Sequence, residues 1–556
     1  MNTVLDSAKQ RLLQKIRDSL VGEGRRLATP FGEKPLVYAD YTASGRSLSF
    51  IEDYIREQVL PFYANTHSET SATGRQTSAY REQARATIAK SVNANRDYAV
   101  IFSGSGATAA INKIIDILNI RLPADLNRRY HLEQSIPDSD KPVVFIGPYE
   151  HHSNDIPWRE SLAEVVRIPL NAEGVLDVKA LEKSLHRYRD RAIKIGSFSA
   201  ASNVSGIKTP VTEVSAILKR YSALVFWDYA AAAPYVNIDM QANAIDAIFI
   251  STHKFVGGPG SPGLLIVKRE LLTNSVPSSP GGGTVSWVNQ ELHHYLGAGE
   301  RKEEGGTPAI VESIRAGLVF QLKEKVGANT IEFLEQAFIQ RAMARLSTQP
   351  NIEILGGTTA PRIAILSFQV RHAGRYLHHG LVTALLNDLF GIQVRGGCSC
   401  AGPYGHHLLS IDNSQSQAYQ TALERGESIL KPGWIRLNFN YFLDESTFDY
   451  LLSAIELVAE HGWKMLQHYV FNATHAVWQY RGYKAPAPLT LDTLWQNHGE
   501  STSLLSGAID YAACLTSAKT VLTQLALPTA ASDASFSPAL SSQSAALRWF
   551  SSAADL

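Results

Sequence analysis

The chain has 556 residues, 45% apolar and 19% charged, ordinary proportions for a globular protein long enough to bury a sizeable core. Basic and acidic residues balance at 52 each, which leaves no electrostatic case for a nucleic-acid or anionic-membrane partner. No run approaches the ~20 apolar residues of a membrane span, and three cysteines make no disulfide framework, so a reducing cytoplasm is the expected setting.

Leu5, Ala8, Leu12, Leu13, Ile16 and Leu20 recur at helical spacing, so residues 1–35 are expected to be a helical segment and not a signal peptide. From about residue 98 one phrase repeats: a short apolar strand, a polar or Gly-rich turn, then a helix-like stretch. The predicted strands are 99–102, 143–146, 195–198, 224–227 and 247–250. Continuous apolar strands alternating with amphipathic segments predict an α/β fold with a mostly parallel sheet covered on both faces. Residues 119–141, with Pro123 and Pro137, interrupt the pattern as a surface insertion. A smaller α/β unit follows, with strands at 363–370 and 435–439, a helix over 376–390 and a long helix from Glu445. The expected division is a large domain over 36–305, a small one over 306–475, and an extension over 476–556. The last part of that extension, 528–556, is rich in Ala and Ser and is expected to be poorly ordered.

Each predicted strand of the large domain runs into polar residues at its C-terminal end, the edge where open α/β sheets bind ligands. These are Ser103 to Thr108, Glu150-His151-His152, Ser202-Asn203, Asp228, and Ser251-Thr252-His253-Lys254. A lysine at a strand mouth, with a hydroxyl and an imidazole beside it, suits an aldehyde cofactor held as a Schiff base. A strand-end acid such as Asp228 suits a protonated pyridine nitrogen, because opposite charge favours the charged form. The Gly104-Ser105-Gly106-Ala107-Thr108 turn opens a helix whose N–H groups can bind a phosphate. His151 suits stacking on a flat ring or proton transfer, and Asn203 a phenolic oxygen. Taken singly, each has a bland alternative: a core histidine, a turn asparagine, an N-cap aspartate, a solvated lysine. Their convergence at one edge favours the chemical reading. Cys398 and Cys400 share the Gly-rich stretch Arg395 to Pro403, where a thiol can be exposed and Arg395 can lower its pKa. Cys-x-Cys followed at once by His406-His407 is a poor match for structural zinc, and no metal is expected.

In this order, with Tyr38-Ala39-Asp40, Pro157-Trp158, Gly281 to Thr284, Gly306-Thr307-Pro308 and Arg436, the motifs resemble the class V aminotransferase family of fold-type I pyridoxal-phosphate enzymes. Within that family the chain looks most similar to the cysteine desulfurase and selenocysteine lyase branch. The resemblance runs from about residue 36 to 460. It implies that Lys254 is the Schiff-base lysine, Asp228 the pyridinium partner and His151 the stacking residue. It implies further that Ala107, Thr108, Ser251 and His253 surround the phosphate and that Asn203 lies near the phenolic oxygen. Arg436 becomes the clamp for a substrate α-carboxylate, and Cys400, followed by Ala401, the sulfur-accepting nucleophile. The Gly281–Thr284 loop, with Thr284, would reach a partner subunit's phosphate, implying a homodimer; a protein that accepts the sulfur is also implied. Two positions depart from the pattern. Ala231 stands where a glutamine is usual, and Cys398-Ser399 where histidines are often found. The expected function is a cysteine desulfurase-like C–S lyase. Another class V reaction (transamination, β-elimination, epimerisation) with Cys400 a bystander, or a non-catalytic scaffold, are the alternatives.

Overall fold

The computed structural model describes residues 6–66, 68–496, 509–524 and 540–555. The chain divides into two compact units. The first comprises Met1–Val21, Tyr41–Gln336 and Thr359–Ile363; the second comprises Gly22–Asp40, Ala337–Thr358 and Ala364–Leu556.

In the first unit, helix α1 (Ser7–Asp18) is capped by Asp6, whose carboxylate accepts from the Lys9 N–H. Leu5, counted with this helix from its spacing, lies outside the described residues. Helix α2 (Ala72–Ser91) precedes a seven-stranded sheet: β1 (Tyr98–Ser103), β2 (Val143–Ile146), β3 (Glu164–Arg167), β4 (Lys194–Ser199), β5 (Leu224–Asp228), β6 (Ala247–Ser251) and β7 (Gly263–Lys268). The spatial order is β1-β7-β6-β5-β4-β2-β3. Pairing is parallel throughout except for β7, which runs antiparallel to both neighbours. All five expected strands form, each buried along all or nearly all of its length because helices cover both faces. Residues 119–141 form a short helix over Ala124–Tyr130 and a 3-10 turn over Leu132–Ser135, both largely exposed.

The first unit runs past residue 305, as far as Gln336. Helix α3 (Ile310–Val326) belongs with the first unit because Gly317 lets it lie against α2. A Cβ on Gly317 would stand 2.6 Å from the Ala84 Cα. On the same helix Phe320 is buried against Phe255, their ring centroids 4.9 Å apart, and Val319 is buried beside Gly257.

The second unit is built on an antiparallel sheet of β8 (Ile352–Ile354), β9 (Ile365–His372), β10 (Arg395–Gly397) and β11 (Trp434–Asn438), in the order β8-β9-β11-β10. Helices α4 (His379–Phe390) and α5 (Glu445–His461) bury Leu385, Leu389, Leu451 and Val458 in its core. Residues expected in the first helical segment are here instead: Arg26–Thr29 and Gly32–Pro35 form a hairpin. Val37 and Tyr38 then pair in parallel with Ile392 and Gln393. Of the expected poorly ordered end, 528–539 lie outside the described residues, whereas 540–555 pack onto this unit. Phe550 is fully buried, the Trp549 N–H donates to the Leu430 carbonyl at 3.0 Å, and the Ser551 N–H to that of Tyr376. Two aromatic anchors hold a segment whose Ala/Ser composition carries no periodicity.

Candidate active site

In the first unit the sheet brings most of the predicted cofactor residues to one edge. Asp228 ends β5 at 4% exposure, its Oδ1 accepting the Ala230 N–H at 2.8 Å. Burial pushes its carboxyl up, against the pull of that hydrogen bond and of the positive charge of Lys254. Lys254, half-buried, ends a one-turn 3-10 helix, Thr252–Lys254, directly after β6. The turn is clamped from several sides. The Gly45 N–H donates to the His253 carbonyl at 2.8 Å, the Thr252 hydroxyl to the Pro262 carbonyl, and the Phe255 N–H to that of Thr252. A Cβ on Gly45 would lie 1.9 Å from the Phe255 carbonyl oxygen, so glycine is the residue this approach admits.

At the Gly-rich turn begins the helix Gly106–Ile117. The Ala107 N–H donates to Ser251 Oγ at 2.9 Å, tying the helix start to the end of β6. A Cβ on Gly106, at φ 61°, would meet Ser251 Oγ at 2.8 Å and His253 Cε1 at 2.9 Å. Burial first, and Lys254 second, push His253 down to about 4, so its imidazole is neutral near pH 7. A cavity of about 610 Å³ lies beside the turn, lined by Ser103, Gly104, Gly106, Lys113 and His253 among others. The same hydroxyl line continues outward. Thr108 Oγ1 lies 2.6 Å from Ser153 Oγ, which lies 3.0 Å from His151 Nδ1. His151 Nδ1 also accepts the Ser153 N–H, so the neutral ring carries its proton on Nε2. Asn203 follows Ser202, whose hydroxyl accepts the Val204 and Ser205 N–H groups and fixes the turn. Thr284 is buried; its hydroxyl donates to the Gly281 carbonyl at 2.6 Å and closes its own loop.

Two residues of this edge were missed as site residues in the sequence. Ser153 orients His151. Glu150, 1% exposed, accepts from the Gly147 and Ser199 N–H groups, Ser199 Oγ and Asn154 Nδ2, joining the ends of β2 and β4. Burial pushes its carboxyl up to about 7, against those hydrogen bonds. Glu150 stood in the quoted Glu-His-His cluster, but nothing local distinguishes a buried structural acid from a reactive one.

The second unit carries Arg436 and the cysteine loop. Arg436, on β11 and 2% exposed, donates from Nη2 to Asp40 Oδ1 at 3.0 Å. Burial lowers its pKa while Asp40 raises it. Asp40, noted only as part of a motif, also lies 3.6 Å from Arg395 Nε. Its carboxylate therefore orients the guanidinium proposed as the substrate clamp. Cys400 is exposed and Cys398 half-buried. Ser399 and Cys400 both adopt left-handed backbone, at φ 52° and 56°, in a turn closed by the Ala401 N–H donating to the Cys398 carbonyl at 3.2 Å.

A mostly parallel α/β sheet thus carries a lysine and an acid at its C-terminal edge, beside a helix start of the kind that binds phosphate. The sequence model for aminotransferase class V matches residues 37–414, and the chain belongs to that family. It is 29% identical over 383 residues to a probable cysteine desulfurase of Halalkalibacterium halodurans, covering 66% of this chain and 85% of that protein. A probable cysteine desulfurase of Streptomyces coelicolor is 30% identical over 370 residues, covering 66% and 84%. In fold, the chain resembles the solved apo cysteine desulfurase of Thermococcus onnurineus. That match has a TM-score of 0.62 at 22% identity and covers 76% of this chain and 95% of that one. The fold expected from the sequence, the fold-type I architecture, is the fold observed.

The family depends on pyridoxal phosphate, and the residues present fit it. Asp228 is a buried acid suited to a protonated ring nitrogen, and Lys254 supplies an amine at the strand mouth. The Gly106 cradle, with Ser251, Thr108 and neutral His253, offers hydrogen-bond donors to a phosphate without crowding it. Among the described residues no helix is long and apolar enough to cross a membrane.

Proposed function

We propose that this protein is a pyridoxal-phosphate-dependent cysteine desulfurase-like C–S lyase that converts cysteine to alanine and leaves a persulfide on Cys400. The observation that carries this reading is the placement of Cys400: exposed, in a left-handed turn, and followed directly by Ala401 at the end of the Arg395 motif. The similarity to proteins described as probable cysteine desulfurases supports it. Bound pyridoxal phosphate supplies the electron sink for a broken Cα–H bond. Lys254 would hold the cofactor between turnovers, and either its freed amine or the His151 imidazole would move the Cα proton. Asp228 would keep the ring nitrogen charged, and His151, set by Ser153, would serve as the stacking residue. Arg436 binds the substrate carboxylate, with Asp40 holding one end of its guanidinium. The Cys400 thiolate takes the substrate sulfur, so one C–S bond breaks and one S–S bond forms.

Intact-mass analysis after exposure to L-cysteine tests this. The unaltered protein should gain one sulfur and release alanine, and Cys400→Ala should do neither at an appreciable rate while retaining the cofactor's absorbance. Sulfur gain and alanine release in Cys400→Ala would mean that the nucleophile is another residue. Turnover of a different amino acid, with no sulfur ever gained, would place the chain among the other class V reactions.

Homodimerisation and transfer of the sulfur to an acceptor protein in the cytoplasm belong to the same proposal. The Gly281–Thr284 loop leads into a hairpin, Val285–Val288 with His293–Tyr295, that leaves Trp287 and Val288 each 62% exposed. A second copy covering that apolar surface would lie next to the loop, in which the Gly281 and Thr284 N–H groups already bond to Thr284 Oγ1 and to the Gly281 carbonyl. Mixing Lys254→Ala subunits with Thr284→Asp subunits, each inactive alone, should restore part of the activity. No recovery despite demonstrated subunit exchange would establish self-contained sites.

A further inference from the structure

The second cysteine of the loop has no part in the reaction as proposed so far. Cys398 follows directly from β10, where Gly397 pairs with Trp434 of β11. Gly397 (φ 120°), Ser399 and Cys400 all have positive φ, so the chain bends sharply around Cys398. Two residues apart, the cysteine Cα atoms lie within about 7 Å of each other by covalent geometry alone, and the turn closed from Ala401 to Cys398 keeps them on one bend. Their surroundings differ. Cys400 is exposed, whereas Cys398 is half-buried and lines a cavity of about 450 Å³ within the same unit. Leu409, Tyr419, Leu423 and Trp434 form its apolar walls, and Gly405, on the short helix that follows the loop (Gly402–Leu408), stands against Trp434.

We propose that Cys398 is a second sulfur carrier, receiving the sulfur from Cys400 and holding it against this apolar cavity. The proposal rests on the desulfurase reading and adds a step to it. The Cys398 thiolate attacks the outer sulfur of the Cys400 persulfide. The bond from that sulfur to Cys400 Sγ breaks, and Cys400 leaves as a thiolate. The outer sulfur keeps its proton, one S–S bond is exchanged for another, and no oxidant or reductant takes part. A persulfide on exposed Cys400 stands open to any thiol in solution; on half-buried Cys398 it would face the cavity that Leu409, Leu423 and Trp434 line together with His406, Glu424 and Lys431, where a bulky reductant would reach it less readily. Transfer also returns Cys400 to the thiolate needed for the next cysteine, so two sulfurs can be held per subunit.

The experiment is time-resolved mapping of sulfur in the cofactor-loaded protein. L-cysteine is added, samples are quenched with an alkylating agent, and the peptide carrying both cysteines is sequenced by tandem mass spectrometry. Sulfur should appear first on Cys400 and then on Cys398, with doubly charged peptide at later times. In Cys398→Ser it should remain on Cys400 and be removed by a bulky phosphine reductant several-fold faster than in the unaltered protein. In Cys400→Ala neither position should become charged. Sulfur confined to Cys400 at every time, removed by phosphine at the same rate in both proteins, overturns the relay and leaves the desulfurase reading intact. Sulfur on Cys398 in the Cys400→Ala protein overturns the order of transfer. Sulfur on neither cysteine of the unaltered protein overturns both proposals.

Discussion

Lys254→Ala should leave a folded protein whose turnover of amino acid is slower by about 10³-fold or more, with no pyridoxyl group trapped on any lysine by borohydride. The size of the effect follows from two duties in one side chain, attachment of the cofactor and movement of the Cα proton. The fold should survive because the Lys254 backbone is held independently of its amine. Gly45 donates to the His253 carbonyl, and Phe255 closes the 3-10 turn onto Thr252. Unchanged thermal unfolding of the cofactor-free variant would check that part. Peptide mapping of the borohydride-reduced unaltered protein checks the attachment, and a pyridoxyl group on a different lysine would overturn the assignment.

Asp228→Asn should lower the rate by about 10²–10³-fold, the scale for removing one preorganised electrostatic partner, without lowering the stability of the cofactor-free protein. Asparagine keeps an oxygen to accept the Ala230 N–H, now 2.8 Å from Oδ1, but cannot hold a neighbouring ring nitrogen in its charged form. Desolvation of the buried carboxylate, which raises its pKa, disappears with the charge. The expected pair of readings is therefore an unfolding temperature that is equal or higher and a turnover that is much lower. Near-normal turnover would mean that another acid serves the ring nitrogen. A large drop in unfolding temperature would make Asp228 a structural residue first.

Strands buried on both faces were the readable part of this fold. Val143–Ile146 and Ala247–Ser251 are unbroken apolar runs or nearly so, and a strand without solvent contact leaves that local mark whatever its neighbours are. The half-exposed strand Glu164–Arg167 leaves no such mark and was not anticipated. Neither was Gly263–Lys268, although its core Leu264 to Val267 is apolar, because its place between the first strand and the Lys254 strand is a matter of pairing partners. Asp228, Ser251 and Lys254 stood out for a related reason: each lies at or just past the end of a strand, and strand ends in such sheets converge.

What the sequence by itself determined is therefore the chemistry at the ends of local elements: five of the strands, the lysine, the acid, the Gly-rich helix start and the paired cysteines. Tertiary structure alone decided the long-range partnerships. Arg436 meets Asp40 from 396 positions away, Val37 and Tyr38 join Ile392 and Gln393, and Phe550 is buried at the end of an Ala/Ser-rich segment. Local propensity and periodicity act over a few residues, whereas the burial of a charge or an aromatic ring depends on which distant surface closes over it.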